Sequence, residues 1–201
     1  MEINGFRLVP GALDPSAQAR LVAIVTQALG DAPLYRPFTP HGKPMSVEQS
    51  SFGALGWVTD GAGYRYEPSH PGTGRPWPAM PRMLLDLWTR HAGAAPGVWP
   101  DSCLINLYRG EARMGLHRDM DEADLSAPVL SVSLGDTAVF RLGGTERSDP
   151  TRTVRLSSGD VCVLGGAARN AFHGVDRILP GSSRLIPGGG RINLTLRRAG
   201  A

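Results

Sequence analysis

PVLSVSLGDTAVFRLG, residues 128–143, reads as two short strands meeting at Gly135-Asp136. Its apolar residues are β-branched or alternate with small polar ones, the period of a pleated strand. The same texture fills the C-terminal half: SCLINLYR (102–109), TVRLS (153–157), DVCVLG (160–165) and RINLTLRR (191–198). Gly-Asp, Gly-Gly and Ser-Gly-Asp punctuate these runs. From residue 102 onward the pattern predicts a barrel or sandwich of short strands.

The N-terminal half differs. Residues 13–30 predict a helix, with Asp14 as cap, Pro15 in the first turn, Gly30 as the stop, and Leu21, Ile24, Val25 and Ala28 on one apolar stripe. Residues 81–94 predict a second helix that starts at Pro81 and buries Leu84, Leu85, Leu87 and Trp88; His91 on it reads as structural. Between them, residues 37–80 are rich in Gly and Pro and carry Trp57, Tyr64, Tyr66 and Trp77. Aromatics in such a segment form either a satellite core or a stacking surface.

Composition sets the outer limits. At 201 residues one domain with a sizeable core is expected. Cys103 and Cys162, the only two cysteines, lie in apolar runs and read as buried thiols in a reducing compartment. The N-terminal MEINGFRLVPGALD lacks the basic and apolar regions of a secretion signal, and no apolar run reaches the ~18 residues of a membrane span. A cytoplasmic protein without a membrane partner is expected. Net charge is +3, with Lys43 the lone lysine among 21 basic residues. The arginine excess permits an anionic partner; codon usage would explain it equally well.

Strand alternation sorts the polar residues. Asn106 and Tyr108 face away from Cys103, Ile105 and Leu107, and Arg191, Asn193, Thr195 and Arg197 face away from Ile192, Leu194 and Leu196. One such strand could be a wet outer face; two together favour a cavity for a small anion. In NLYRGEARMGLHRDMDE (106–122), an extended backbone puts His117 and Asp119 on one face, and the distant His173 of AFHGV could supply a third ligand. Two histidines and a carboxylate form the facial triad of non-haem Fe(II) oxygenases, and could equally hold a catalytic zinc. A cation such as Arg197, able to hold the far carboxylate of 2-oxoglutarate, favours the oxygenase.

The segments NLYRGEARMGLHRDMDEADLSAPVLSVSLGDTAVFRLGG, AFHGV and RINLTLRRAG, with LGWVTDGAGYRYEP and PWPAMP before them, resemble in order the AlkB family of bacterial alkylation-repair dioxygenases over residues 45–200. The resemblance implies a mainly β chain with flanking helices, a double-stranded β-helix (jelly roll) preceded by a nucleotide-recognition lid. Within a single domain, 1–201, it implies helices and lid over 13–95 (the lid about 37–80) and a catalytic core over 102–200. It implies Fe(II) on His117, Asp119 and His173, and 2-oxoglutarate on Asn106, Tyr108, Arg191, Asn193 and Arg197. Trp57 would stack on the substrate base, Tyr64 would contact the backbone, Asp121 would meet the exocyclic amine and take part in catalysis, and Arg147 would reach over the substrate. The bland readings are lid core for Trp57, a turn cap for Asp121 with Glu122 and Asp124, and a solvated hairpin for Arg147. Glu48-Gln49, Leu164 and Arg109-Gly110-Glu111 depart from the family pattern around the base pocket.

The implied reaction is oxidative demethylation of N-alkylated bases such as 1-methyladenine and 3-methylcytosine, consuming O2 and 2-oxoglutarate and releasing formaldehyde, succinate and CO2. Alkylated single-stranded DNA is the expected partner, with RNA and duplex DNA open, and the protein is expected to be a monomer. The rival classes are a dioxygenase that hydroxylates a protein or small molecule, and a nucleic-acid-binding module with a dead metal site.

Overall fold

A computed structural model of the chain describes residues 1–200. In chain order its elements are β1 (Glu2–Ile3), β2 (Phe6–Val9), α1 (Pro15–Ala28), β3 (Glu48–Gly53), β4 (Gly56–Asp60), β5 (Gly63–Glu67) and α2 (Arg82–His91). There follow β6 (Ser102–Tyr108), β7 (Met114–His117), β8 (Val129–Gly135), β9 (Thr137–Leu142), β10 (Arg152–Leu156), β11 (Val161–Leu164), a 3-10 turn (Gly166–Asn170), β12 (His173–Leu179) and β13 (Arg191–Arg197).

The strands form two antiparallel sheets, a larger one in the order β1-β2-β11-β8-β13-β6-β3 and a smaller one in the order β10-β9-β12-β7. Their inner faces share one apolar cluster, Phe6, Val129, Cys162 and Leu164 of the larger sheet against Phe140, Val154, Leu156 and Val175 of the smaller. This is the jelly roll that the sequence resemblance implies. β4 and β5 pair as a separate hairpin, Trp57 opposite Tyr66.

The larger sheet is covered on both sides, so every residue of β6, β8 and β13 is buried. Alternation then sends Ile105, Val132, Leu194 and Leu196 outward against Leu21 and Val25 of α1 and Leu84, Leu87 and Trp88 of α2. Fully burying each such side chain contributes about 1.5–3 kcal/mol. Both helices lie close to their expected spans. The Asp14 carboxylate accepts the Ala17 N–H at 2.7 Å to start α1. α2 ends at His91, just before Gly93, whose φ of +68° the right-handed helix cannot accommodate. Among the described residues no helix is long and apolar enough to cross a membrane.

Several strands fall where the sequence pattern assigns none, β2 and β3 among them. β2 pairs with β11, and β3, inside the Gly- and Pro-rich stretch, pairs along β6 with Gln49 opposite Asn106. The composition of β3, EQSSFG, carries little β-propensity; the strand is held by its partner and by burial of Ser50, Ser51 and Phe52.

One close approach governs the small sheet. β12 runs antiparallel to β7 with His173 directly opposite His117, and the register shifts before Val175. A Cβ on Gly174 would stand 2.6 Å from the Met114 carbonyl oxygen and 2.8 Å from that of Gly115, so only glycine lets the two backbones close here. Gly174→Ala is expected to cost about 1–3 kcal/mol of stability, read as a lower urea midpoint. Gly115→Ala, whose Cβ meets nothing within 4 Å, is expected to stay within about 0.5 kcal/mol of the parent.

Candidate active site

The strand pairing gathers three metal donors. His117 closes β7, His173 opens β12, and Asp119 follows two residues after His117; their ligand atoms lie within 4.8 Å of one another. Each histidine donates Nδ1–H to a backbone carbonyl two residues earlier, His117 to Gly115 (2.9 Å) and His173 to Ala171 (3.0 Å). That fixes the tautomer and leaves Nε2 as the donor on both rings. These Nε2 atoms stand 3.7 and 3.8 Å from the two carboxylate oxygens of Asp119.

The charge states suit a cation. Burial pulls the His173 imidazole down to about 4, against the upward pull of Asp119, so the ring is neutral and its lone pair is free. Burial alone would raise the Asp119 carboxyl, but Arg197, His173 and His117 together hold it well below the usual carboxylate range. A deprotonated carboxylate and two imidazoles that turn Nε2 toward it on one side of a cavity fit a divalent first-row metal.

The donors sit in the wall of a cavity of about 290 Å³ between the two sheets. Asn106, Tyr108 and Asn193 line it, as strand alternation requires. Tyr108 lies opposite Arg191, and Asn106 opposite Asn193. The Asn106 carbonyl accepts from Gln49 (2.8 Å), which leaves its NH2 free to donate. Burial pushes the Tyr108 phenol up to about 12, so its hydroxyl stays a donor. Asn193 is already engaged, donating to Ser131 Oγ (2.6 Å) and accepting from Thr195 (2.9 Å).

The two arginines of β13 differ sharply. Arg197 is engaged by two carboxylates. Its guanidinium lies 3.0 Å from Asp119 Oδ2 and 3.1 Å from Glu122 Oε1, at the metal end of the cavity. Arg191 is 1 % exposed, its Nη2 donates to the Ser133 hydroxyl (3.0 Å), and among the described residues no carboxylate pairs with it and its buried Nε has no partner. A buried guanidinium without a counter-charge is costly. Burial accordingly draws its pKa below the ordinary arginine value, partly opposed by Tyr108, Cys162 and Asp160. Arg191 beside Tyr108 thus carries a buried positive charge that lacks a paired carboxylate among the described residues.

At the mouth, Trp57 of β4 stacks on Tyr64 of β5, ring centroids 5.5 Å apart and planes 16° apart. Trp57 Nε1–H donates to Asp121 Oδ2 at 2.8 Å. Both rings and Asp121 line the cavity, and Tyr64 is half exposed. Asp121 thus orients the indole; it does not cap a turn with Glu122 and Asp124. Arg147 does not reach the cavity wall. Its guanidinium donates to the Leu116 carbonyl (3.1 Å) and lies 5.7 Å over the Phe172 ring. Arg118, which the sequence reading passes over, lines the cavity instead.

Four further residues enter that carried no assigned role. Buried Glu122 accepts from Tyr66 (2.7 Å) and Arg169 (3.0 Å) besides Arg197. Arg169, in the 3-10 turn, also donates to the Asp119 and Ala127 carbonyls, both at 2.8 Å. Gln49 reaches the cavity from the edge strand, and Leu164 forms part of its wall. Glu122 shares the acidic run of 119–122; Arg169 has no local signal, because its partners lie 42 to 50 residues away.

Comparison with known proteins agrees with this geometry. The model of the 2OG-Fe(II) oxygenase superfamily matches residues 5–197. The alpha-ketoglutarate-dependent dioxygenase AlkB homolog of Caulobacter vibrioides is 64% identical over 98% of this chain and 89% of its own. The alpha-ketoglutarate-dependent dioxygenase AlkB of Escherichia coli is 43% identical over 92% of this chain and 86% of its own. The solved structure of OsALKBH1 superposes with a TM-score of 0.81 at 29% identity, covering 98% of this chain and 99% of that one. An intact metal triad in the cavity wall and similarity over nearly the whole length agree. The chain belongs to the 2OG-Fe(II) oxygenase superfamily and, within it, to the AlkB alpha-ketoglutarate-dependent dioxygenases, which use Fe(II), 2-oxoglutarate and O2.

Proposed function

We propose that the chain repairs alkylated nucleic acid by oxidative demethylation of N-alkylated bases of the 1-methyladenine and 3-methylcytosine type, releasing formaldehyde, succinate and CO2. Alkylated single-stranded DNA is the substrate we favour, with RNA and duplex DNA as further candidates. In this reading the protein works as a cytoplasmic monomer whose segment 37–80 closes as a lid over the 102–200 core.

The observation that carries the substrate reading is the mouth of the cavity. An indole face, held by a carboxylate, stands in the same cavity wall as the metal donors. Stacking on an aromatic ring contributes about 1–3 kcal/mol per base, which offsets the few kcal/mol needed to unstack a nucleotide. A base methylated on its pairing edge is the easiest to extrude, because its pairing is already lost. Asp121 favours a base made cationic by alkylation. Arg118 at the wall holds phosphate without reading sequence.

Below the mouth, His117, Asp119 and His173 would hold Fe(II), which together with 2-oxoglutarate and O2 supplies the oxidising power for hydroxylating the N-alkyl carbon. Arg191 and the Tyr108 hydroxyl would bind the far carboxylate, and the Asn106 NH2 would bond the diacid on the adjacent wall. Arg197 would keep the Asp119 carboxylate ionised and aimed, itself fixed by Glu122. Burial of this end of the cavity excludes bulk water from the reacting carbon.

Two outcomes test the reading. Arg191→Ser is expected to raise the KM for 2-oxoglutarate roughly 100-fold, the cost of removing one member of a buried charge pair, while Mn(II) binding by titration is retained. Trp57→Ala is expected to weaken a single-stranded oligonucleotide carrying 1-methyladenine by about 5- to 150-fold, read as KM for formaldehyde release. Uncoupled succinate formation without substrate should persist in that variant. If the parent protein consumes 2-oxoglutarate with other substrates yet yields no formaldehyde from methylated oligonucleotides, the repair reading is wrong.

A further inference from the structure

We infer that the outer face of the small sheet is a phosphate-binding track for the nucleic acid that flanks the base in the cavity, an inference that rests on the nucleic-acid reading above. The register places the groups. Phe140, Val154 and Val175 point inward to the shared core, so their neighbours point out. Arg155 of β10 and Arg177 of β12 both stand opposite Val139 of β9, and two residues along β9, Arg141 stands between Thr153 and Gly174. Three guanidiniums therefore share one face. Val139 is only 7 % exposed although it joins neither apolar cluster, which leaves the arginine stems to cover it.

Of these cations Arg177 pairs with its neighbour Asp176, while the others face no carboxylate. Arg141 bonds only the Thr151 hydroxyl, at 3.3 and 3.4 Å. Among the described residues no ion pair involves Arg141, Arg155 or Arg113. Beside them lies a notch of about 170 Å³ lined by Gly115, Gly174, Arg113 and Arg141. Open space over Gly115 and the missing side chain of Gly174 form its floor. The carboxylate at its edge, Asp176, is paired with Arg177 at 2.7 Å.

The face is also continuous with the cavity mouth. β7 is the edge strand of this sheet, Leu116 lines the notch, and the next residues, His117 and Arg118, line the cavity. Arg147 bridges the two by donating to the Leu116 carbonyl. A strand leaving the cavity past Arg118 and Arg147 crosses the edge strand β7 beside Arg113 and then meets Arg177 on β12, Arg141 on β9 and Arg155 on β10. Flexible arginines on a flat sheet offer charge without base edges to read, the chemistry of backbone contacts.

The test uses the protein loaded anaerobically with Fe(II) and 2-oxoglutarate, and 1-methyladenine in a trinucleotide or in a single strand of about 20 nucleotides. The double variant Arg141→Ser/Arg155→Ser should reduce the slope of log affinity against log salt on the long strand by about 1–1.5, with roughly 10-fold weaker binding at low salt. Turnover of the trinucleotide should be unchanged, and Arg141→Lys/Arg155→Lys should restore the slope. The inference is overturned if the serine variant keeps the parent's slope and its preference for the long strand. It is overturned equally if affinity falls with no change in slope, which would mark a structural defect, or if only binding to phosphatidylglycerol vesicles is lost, which would assign the face to a membrane. Failure of the parent on both substrates would instead sink the nucleic-acid reading on which the track rests.

Discussion

The site depends on one cross-strand pairing, His173 opposite His117. Fifty-six positions separate the two along the chain, yet antiparallel pairing of β12 with β7 places their ring centroids 4.5 Å apart. The pairing requires Gly174, the one residue that lets the strands approach so closely there. Backbone carbonyls then set both tautomers, and the loop after β7 brings in Asp119. The metal donors thus follow from sheet register, so slipping β12 by one residue would turn His173 away from the cavity.

Charge completes what register begins. Asp119 and Glu122 face Arg169 and Arg197 in a buried, hydrogen-bonded and electrically balanced group. Breaking such a group by removing one member is expensive, because it strands a charge in low dielectric. This group rigidifies the metal end and ties it, through Tyr66, to the hairpin that carries Trp57 and Tyr64. Arg191, by contrast, is left without a counter-ion in the same interior. The interior is therefore asymmetric: charge is balanced at the metal end and unbalanced at Arg191, which stands opposite the cavity-lining Tyr108. A diacid that approaches the metal with one end and Arg191 with the other relieves that imbalance.

The sheet texture, both helices and the polar faces of β6 and β13 are legible in the sequence. The larger sheet is buried on both sides, so polar residues on its strands have few places to be other than a cavity. Less was visible where partners decide the structure. EQSSFG has no strand pattern of its own and is held by β6, and Arg169 finds its three acceptors only after the chain has folded. The roles of Arg191 and Arg197 could not be told apart by alternation, because both occupy the same face of one strand. Which carboxylates stand nearby separates them, and that is a property of β5, β7 and the loop to Glu122. Arg147 shows the opposite case, a cation near the mouth in sequence terms whose guanidinium is taken by Leu116 and Phe172.

The central claim is that one cavity holds a metal at one end and a diacid anchored on Arg191 at the other. A crystal grown anaerobically with Mn(II) and 2-oxoglutarate tests it most directly. The account predicts Nε2 of His117 and His173 and the Asp119 carboxylate on the ion, with the distal carboxylate of the diacid on Arg191 and Tyr108. Density that places the distal carboxylate on Arg197, or that turns His173 away from the ion, would contradict it.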